Sequence, residues 1–423
     1  MKKVFYFIIV AVLLFIVLTY WSLSSTDNTF ERNKVLNLEN IESVNFHDYD
    51  SVLVAASYLY EPNYIKEIMQ GEQYRDVWAA PVQVRILFLD TLFGGVTIMK
   101  EGGGNQTHSL KLVTSDSIEY ALRSINKDPK PLIPQFATKL GLENIVVDGI
   151  SAQHPYGALL SARLSEAVEV LHTNPRVVFL PKQKKLDTYN DKFGNRLFLL
   201  EYETKGDVNW TNLEHIDEIV DTDNLQELKQ ELGSKLHIDK KALIRARLFD
   251  FIIGDWDRHA KQWGFAVQKT DSSYLAIPIP GDRDNAFFDT DGIIPSIISN
   301  QHVVPKLRPF EKNIDFMEGL VYPFDRYFLL DTDEAFFTTE AKAIQDKLTD
   351  KIINESFMVW PKNIRDLNQT EITAKIISRR NNLTEYAIRF KQEIDRQGEV
   401  RRDLKGSEDE EFNDGLIHCF ECN

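Results

Sequence analysis

The chain has 423 residues, of which 43% are hydrophobic and 11% aromatic; this supplies enough apolar surface to offset ordering entropy and excludes a largely disordered protein. Its 64 acidic side chains against 49 basic ones give a formal charge of -15. With no long basic run to offset that charge, a phosphate backbone is repelled and nucleic acid is not the expected partner.

In chain order, Lys2 and Lys3 precede an apolar stretch from Val4 to Trp21, long enough to span a hydrocarbon core of roughly 30 Å as a helix. The positive-inside bias keeps the two lysines in the cytoplasm and puts the rest outside. Residues 1–23 are therefore expected to be an uncleaved signal anchor carrying an extracytoplasmic domain. Cleavage at the small-residue run Ser22 to Ser25 is the alternative and would give a secreted protein. Residues 24–47 are polar and aperiodic, and read as a stalk.

The folded part is expected from residue 48. Runs rich in β-branched and aromatic residues predict strands at 82–90, 96–100, 109–113, 117–125, 177–180 and 197–202, several of them punctuated by glycine as in an antiparallel meander. Apolar spacing predicts helices at 132–142 and 157–171. From residue 217 the pattern turns helical: 224–236, then 243–253 stopping at Gly254, then most of 335–396 with breaks at Pro361 and near Asn368. A strand is expected at 274–279. The outline is α+β, with a β-rich region at 48–204, a helical region at 205–400 and an acidic tail at 401–423. That tail holds the only cysteines, Cys419 and Cys422, beside His418; they are too few for a four-cysteine zinc site.

Chemistry concentrates where the 243–253 helix stops. Gly254 releases Asp255, Asp257, Arg258 and His259 onto a loop, and after the 274–279 strand Gly281-Asp282-Arg283-Asp284-Asn285 delivers two more carboxylates. Phosphoryl transfer needs one carboxylate to orient or deprotonate the acceptor hydroxyl and oxygen ligands to hold a divalent cation against the nucleotide phosphates. Asp257 and Asp284 suit those two tasks. Gln262, five positions beyond Asp257, offers an amide oxygen at the offset of the kinase catalytic-loop Asn.

The run F-D-F-x-x-G-x-x-D-R-H at 249–259 resembles the catalytic loop of secreted kinases of the Golgi casein kinase type. G-x-x-D-R-H-x-x-x-W-G also resembles the spore-coat kinase CotH and, more distantly, HipA-like kinases. Asp284-Asn285 is similar to the D-N or D-Y that replaces D-F-G in those families. The resemblance implies a bilobal protein-kinase-like fold, with a β-rich N-lobe and a helical C-lobe behind one transmembrane helix. It also implies phosphoryl transfer from ATP or another nucleoside triphosphate, with Mg²⁺ or Mn²⁺, to a hydroxyl on a protein, glycan or small molecule. Asp257 would be the catalytic base, Asp284 the main metal ligand, and Gln262 and Asp282 further ligands. Gly102, Gly103, Gly104, Asn105, Gln106 and Thr107 would form the phosphate-covering loop, with backbone N–H groups free to approach anionic oxygens. Arg123 stands where those kinases carry a strand lysine, with Lys111 as its substitute, and its helix partner would be Glu166, or else Glu169.

Each assignment has a plainer counterpart. The Asp257 loop can be a helix end whose carboxylates pair with Arg258 and Arg283; the glycines can be a hairpin turn; Arg123 can sit in a surface ion pair; and Glu166 can be a solvated helix residue. His259 is expected to support the loop through hydrogen bonds. Arginine for lysine and Gln262 for Asn also fit a pseudokinase that binds nucleotide without transfer. A metal-dependent phosphohydrolase using Asp255, Asp257, His259, Asp282 and Asp284 as a two-metal cluster is the other alternative, with nucleotidyl transfer on the same site.

Overall fold

The computed structural model describes residues 2–26, 32–103, 106–128, 130–400 and 404; Gly104, Asn105, His418, Cys419 and Cys422 lie outside them. Among the described residues, three sheets are formed. β1 (Ser51–Ala55) pairs antiparallel with β2 (Pro81–Arg85). β3 (Val96–Gly102), β4 (Ser109–Thr114), β5 (Glu119–Ser124), β6 (Arg176–Leu180) and β7 (Arg196–Tyr202) build an antiparallel sheet in the order β3-β4-β5-β7-β6. β8 (Ile216–Asp221), β9 (Leu236–Ile238), β10 (Trp263–Lys269) and β11 (Tyr274–Pro280) build a third sheet in the order β8-β10-β11-β9, in which β9 runs parallel to β11.

Register in the five-stranded sheet decides which side chains face the site. Lys111 opposes Ala121, Ser109 opposes Arg123, Ala121 opposes Glu201, and Arg123 opposes Leu199. Because strand side chains alternate between faces, Lys111, Arg123, Leu199 and Glu201 share one face. Leu110, Leu112, Tyr120, Leu122 and Leu200 take the other and pack with Leu186, Phe193 and Phe198 into a separate core cluster.

The main core is continuous from Val35 to Leu404 and joins β1 and β2, the helices Gly157–Ala167 and Lys240–Ile253, and the helices Glu334–Lys347, Lys362–Asn381 and Leu383–Gln397. The core thus runs across residue 204. Part of the β-rich half is packed into the core of the helical half, and that second half contains a four-stranded sheet. β8 and β10 were not expected because half of the β8 residues are carboxylates and β10 follows the Asp257 loop without a turn signal.

The stalk is corrected. Asn33 is buried; its amide nitrogen donates to Ala55 O and Asn126 Oδ1, and its amide oxygen accepts from Leu197 N. Val35 bridges to Val54, and Phe46 packs against Phe179 with ring centroids 5.5 Å apart. Polarity without periodicity here marks side chains that satisfy buried backbone groups, not a solvated spacer. The break expected near Asn368 is absent, since one helix runs from Lys362 to Asn381; Pro361 stands before its first turn, where a missing N–H has no cost.

The Lys240–Ile253 helix carries a buried charge network on its inner face. Arg247 Nε reaches Asp325 Oδ1 at 2.7 Å and its Nη1 reaches Asp250 Oδ2 at 3.0 Å. Asp250 also meets Arg258 Nε at 3.2 Å and Arg283 Nη2 at 3.0 Å. All five groups are buried, and the two arginines on the site loops are thereby tied to one helix.

Candidate functional site

The helix ends at Gly254 in the left-handed region, φ 67°, where a Cβ would lie 2.5 Å from the Phe310 ring. A side chain at this position is therefore excluded twice, by conformation and by space. Beyond it the loop is held from inside: the Arg258 guanidinium donates to Gly281 O at 2.8 Å and Gln262 O at 3.2 Å and lies 4.7 Å from the Trp263 ring centroid. Asp255 accepts from Asp257 N at 3.3 Å and faces Arg258 at 3.4 Å. This interior pairing is what the sequence reading set beside catalysis as the plain alternative, and the structure assigns it to Asp255, Arg258 and Arg283 while leaving Asp257 partly open.

A cleft lies between the Arg123 face of the sheet and the start of the Gly157–Ala167 helix, and Arg123, Lys127, Gln153, His154, Asp282 and Asp284 line it. Asp257 stands just outside that lining. Asn285 Nδ2 approaches Asp257 Oδ2 at 3.5 Å, and Gln153 Nε2 donates to Asn285 Oδ1 at 2.8 Å. Asp282 and Phe287, on either side of Asp284, both have positive φ, 47° and 64°. Left-handed backbone of this kind costs on the order of 1 kcal/mol at each non-glycine residue and tends to collect at functional loops.

Charge explains how the groups respond to one another. Burial, then Asp284 and Asp282, push the Asp257 carboxyl up to about 6. Asp284 is also raised, by burial and by Asp282, against the pull of Lys127. Burial opposes ionisation of Asp282 as well, but Arg123, Lys127 and Arg258 outweigh it and hold this carboxyl below its ordinary value. His259 is driven down to about 4 by burial and by Arg258, so its imidazole is neutral at pH 7. Its Nε2 lies 3.7 Å from Asp257 Oδ1 and 3.4 Å from Gln262 Nε2, which brings Gln262 to the margin of the site through His259.

Arg123 Nε meets Glu201 Oε1 at 2.9 Å and Arg123 Nη1 meets Asp282 Oδ2 at 3.2 Å. The expected partner, Glu166, is corrected: it is exposed and pairs with Arg163 and His172, while Glu169 pairs with Arg245 and Lys347. Glu166 sits on the outer face of the Gly157–Ala167 helix, and Glu169 lies just beyond its end. Glu201, on the strand beside Arg123, is the acidic partner, and Thr173 Oγ1 donates to its other oxygen at 2.6 Å. Lys111 shares the face but is paired with Glu119, away from the carboxylates.

Cleft residues missed from sequence include Lys127, Gln153 and His154. Lys127 Nζ contacts Asp284 Oδ2 and donates to Thr107 Oγ1 at 2.9 Å; it is a buried cation placed where the strand lysine was sought. Nothing in Ser-Ile-Asn-Lys-Asp marks it, because it lies past the strand end. Gln153 was passed over because it belongs to no motif. Of the glycine segment, Gly103 turns with φ 104°, where a Cβ would fall 2.0 Å from Thr107 O. The turn reaches the cleft through Thr107, and Gln106 O accepts from Asp128 N.

The donor set near Asp284 is oxygen-rich, as a hard divalent cation requires. Among the described residues, however, no three His, Cys, Asp or Glu side chains converge as a ready-made cage. Asp255 is turned inward to Arg258, so the five-group two-metal cluster is not assembled.

No protein-family model matches the chain, and no curated protein matches it. Solved structures similar to it include the Helicobacter pylori proinflammatory kinase CtkA, with TM-score 0.36 and 13% identity over 70% of this chain and 96% of that one. HipA from Shewanella oneidensis MR-1, in a complex with HipB and operator DNA, has TM-score 0.36 and 12% identity over 70% of this chain and 67% of that one. Similarity of this degree assigns no residue roles.

One stability prediction follows from Asp257. A carboxyl raised from 3.8 to about 6 in the fold makes the native state bind more protons than the unfolded chain between those values, so stability falls as pH rises through that window. Asp257→Asn removes the penalty. Its thermal midpoint is expected to exceed wild type above pH 6, corresponding to roughly 2 kcal/mol, and to converge with it below pH 4. Thermal melts across that range check the sign; a variant less stable at pH 7.5 would contradict it.

Proposed function

We propose that this chain is a membrane-anchored, extracytoplasmic kinase-like phosphotransferase that moves a phosphoryl group from a nucleoside triphosphate to a hydroxyl acceptor. The observation that carries the reading is the convergence of Asp257 and Asp284, delivered by separate loops, beside the cationic side chains of Lys127, 7% exposed, and Arg123, 29% exposed. Each residue then has a task that phosphoryl transfer requires. Asp257, with a carboxyl near 6, accepts the proton of the acceptor hydroxyl. Asn285 holds the Asp257 carboxylate from one side and His259 from the other. Lys127 and Arg123 offer positive charge to phosphate oxygens, and Thr107 brings the glycine turn over them.

Asp284, Asp282 and Gln262 would hold Mg²⁺ or Mn²⁺. Their hard oxygen donors fit either ion; burial, and after it repulsion from neighbouring carboxylates, raises the Asp257 and Asp284 carboxyls, and a cation relieves that repulsion. When bound, the ion neutralises charge on the triphosphate. Arg123 binds phosphate as a planar fork where lysine would be a point charge. The acceptor is a protein, a glycan or a small molecule.

The test is incorporation of labelled phosphate from γ-labelled ATP with Mg²⁺ or Mn²⁺, either into the protein itself or into offered hydroxyl compounds. Asp257→Ala is expected to lower the rate by about 10²–10⁴-fold, the usual worth of a positioned base, while leaving nucleotide binding within a few-fold. Wild-type activity is expected to fall as pH drops through about 6, because the base must be ionised. A second reading, a nucleotide-binding pseudokinase, is favoured by Arg123 being shared between Glu201 and Asp282. Binding without transfer in the wild type would select it.

A further inference from the structure

The membrane-spanning length of the chain and its folded part meet without a spacer. The helix Lys2–Leu23 is long and apolar enough to cross a membrane, and its last turn is packed into the domain: Thr19, Ser22 and Leu23 are buried, as is Thr26 just beyond. Gln70 Nε2 donates to Ser22 Oγ at 3.0 Å, Lys66 Nζ donates to Thr26 Oγ1 at 2.9 Å, and Asn144 Nδ2 donates to Thr26 O at 2.7 Å. Lys66 is fully buried and lies 3.5 Å from Asp148, which is also clasped by Arg75. Cleavage at Ser22 to Ser25 would strip the cover from this buried charge cluster.

Depth along the helix can be read from its sequence. Tyr20 and Trp21 close the apolar run, the level at which amphipathic aromatic rings mark the membrane interface. At that level the Tyr20 hydroxyl donates to Leu140 O at 2.6 Å. A Cβ on Gly141 would lie 3.9 Å from the Tyr20 ring. The short helix Gln135–Leu140 is thus pinned at the interface depth. It turns Ala137 inward and leaves Phe136 and Leu140, one turn apart, 66% and 55% exposed. Large apolar side chains this exposed, beside an apolar span, are suited to the headgroup and acyl boundary and not to water.

We propose that the Gln135–Leu140 helix is a membrane seat, with Phe136 and Leu140 inserted in the bilayer interface beside the anchor, so that the domain rests directly on the lipid surface. The occupant is the bilayer, by continuity with the span that the helix touches. The proposal rests on the anchor reading of Lys2–Leu23. Its consequence is positional: Asp148, locked to the anchor through Lys66, begins the segment that ends at the cleft residue Gln153, so the cleft is held at a fixed height over the membrane.

The test uses the full chain with Cys419→Ser and Cys422→Ser, reconstituted in phosphatidylcholine vesicles. Single cysteines at Phe136→Cys, Leu140→Cys and, as a solvent reference, the exposed Met358→Cys carry an environment-sensitive fluorophore. Labels at 136 and 140 are expected to emit to the blue of the label at 358 and to be quenched at least about twofold more by lipids bearing a quencher near the headgroup. Emission and quenching equal to those at 358 would overturn the seat. Carbonate extraction and intact mass run alongside: a chain that stays membrane-integral while 136 and 140 report water loses the seat alone. A soluble chain shortened to about residue 25 removes the anchor and the seat together.

Discussion

Replacing Arg258 by Met is expected to cost more stability than any other single change at the site, about 3–5 kcal/mol, the usual penalty for breaking a buried ion pair by removing one partner. Arg258 is fully buried and ties together Asp250, Asp255, the carbonyls of Gly281 and Gln262, and the face of Trp263. Methionine fills comparable volume but returns none of these bonds: Gly281 O loses its donor, while Gln262 O keeps only Gly281 N and the buried Asp255 carboxyl keeps only Asp257 N. Asp250 keeps Arg247 and Arg283, so the helix itself should survive and the damage should be concentrated in the 255–262 loop and at Gly281. Since whole domains are stable by only about 5–15 kcal/mol, the variant should show a thermal midpoint lower by on the order of 10 °C, or fail to accumulate. Arg258→Lys keeps charge without the fork and is expected to recover less than half of the loss. Wild-type stability in the Met variant would mean that the D-R-H arginine is dispensable to the loop.

The two acidic loops were legible in the sequence, and much of the packing around them was not. Asp257 and Asp284 could be named because a glycine-stopped helix and a strand end both announce loops, and loops on rigid elements are where carboxylates are placed for use. Arg123 was named from the resemblance, as the residue standing where those kinases carry a strand lysine. What failed was partner choice. Glu166 shares a helix with residues that do face the cleft, but helix periodicity fixes a residue's face only once the buried stripe is known, and here Leu160 and Leu164 turn Glu166 outward. Glu201 was hidden by its neighbours, Leu-Leu-Glu-Tyr, which read as a strand running through a core. Lys127 and Gln153 lie on no motif, and their proximity to Asp284 and Asn285 is a product of tertiary packing, which one sequence does not display. The supposed stalk failed for a different reason: composition cannot distinguish a polar segment that stays in water from one whose amides and hydroxyls are used up inside.

Asp284→Ala should abolish metal-dependent nucleotide binding, weakening affinity at least about a hundredfold, the scale associated with loss of one preorganised electrostatic group. Burial and Asp282 disfavour the charge of the Asp284 carboxylate, and Lys127 answers only part of that cost, so the native protein keeps an under-compensated anion in the cleft. A fold retains such a group at some loss of stability where a ligand repays it, and a divalent cation with a triphosphate is a ligand of matching charge. Removing the side chain should therefore leave the fold intact, with a melting midpoint within a few degrees of wild type, while the thermal shift that requires nucleotide and metal together disappears. Lys127→Met separates the two halves of the site: nucleotide affinity should drop, yet what remains should still need metal. If Asp284→Ala bound Mg·ATP as the wild type does, Asp284 would be no more than the ion-pair partner of Lys127, and the convergence of the two loops would be packing without chemistry.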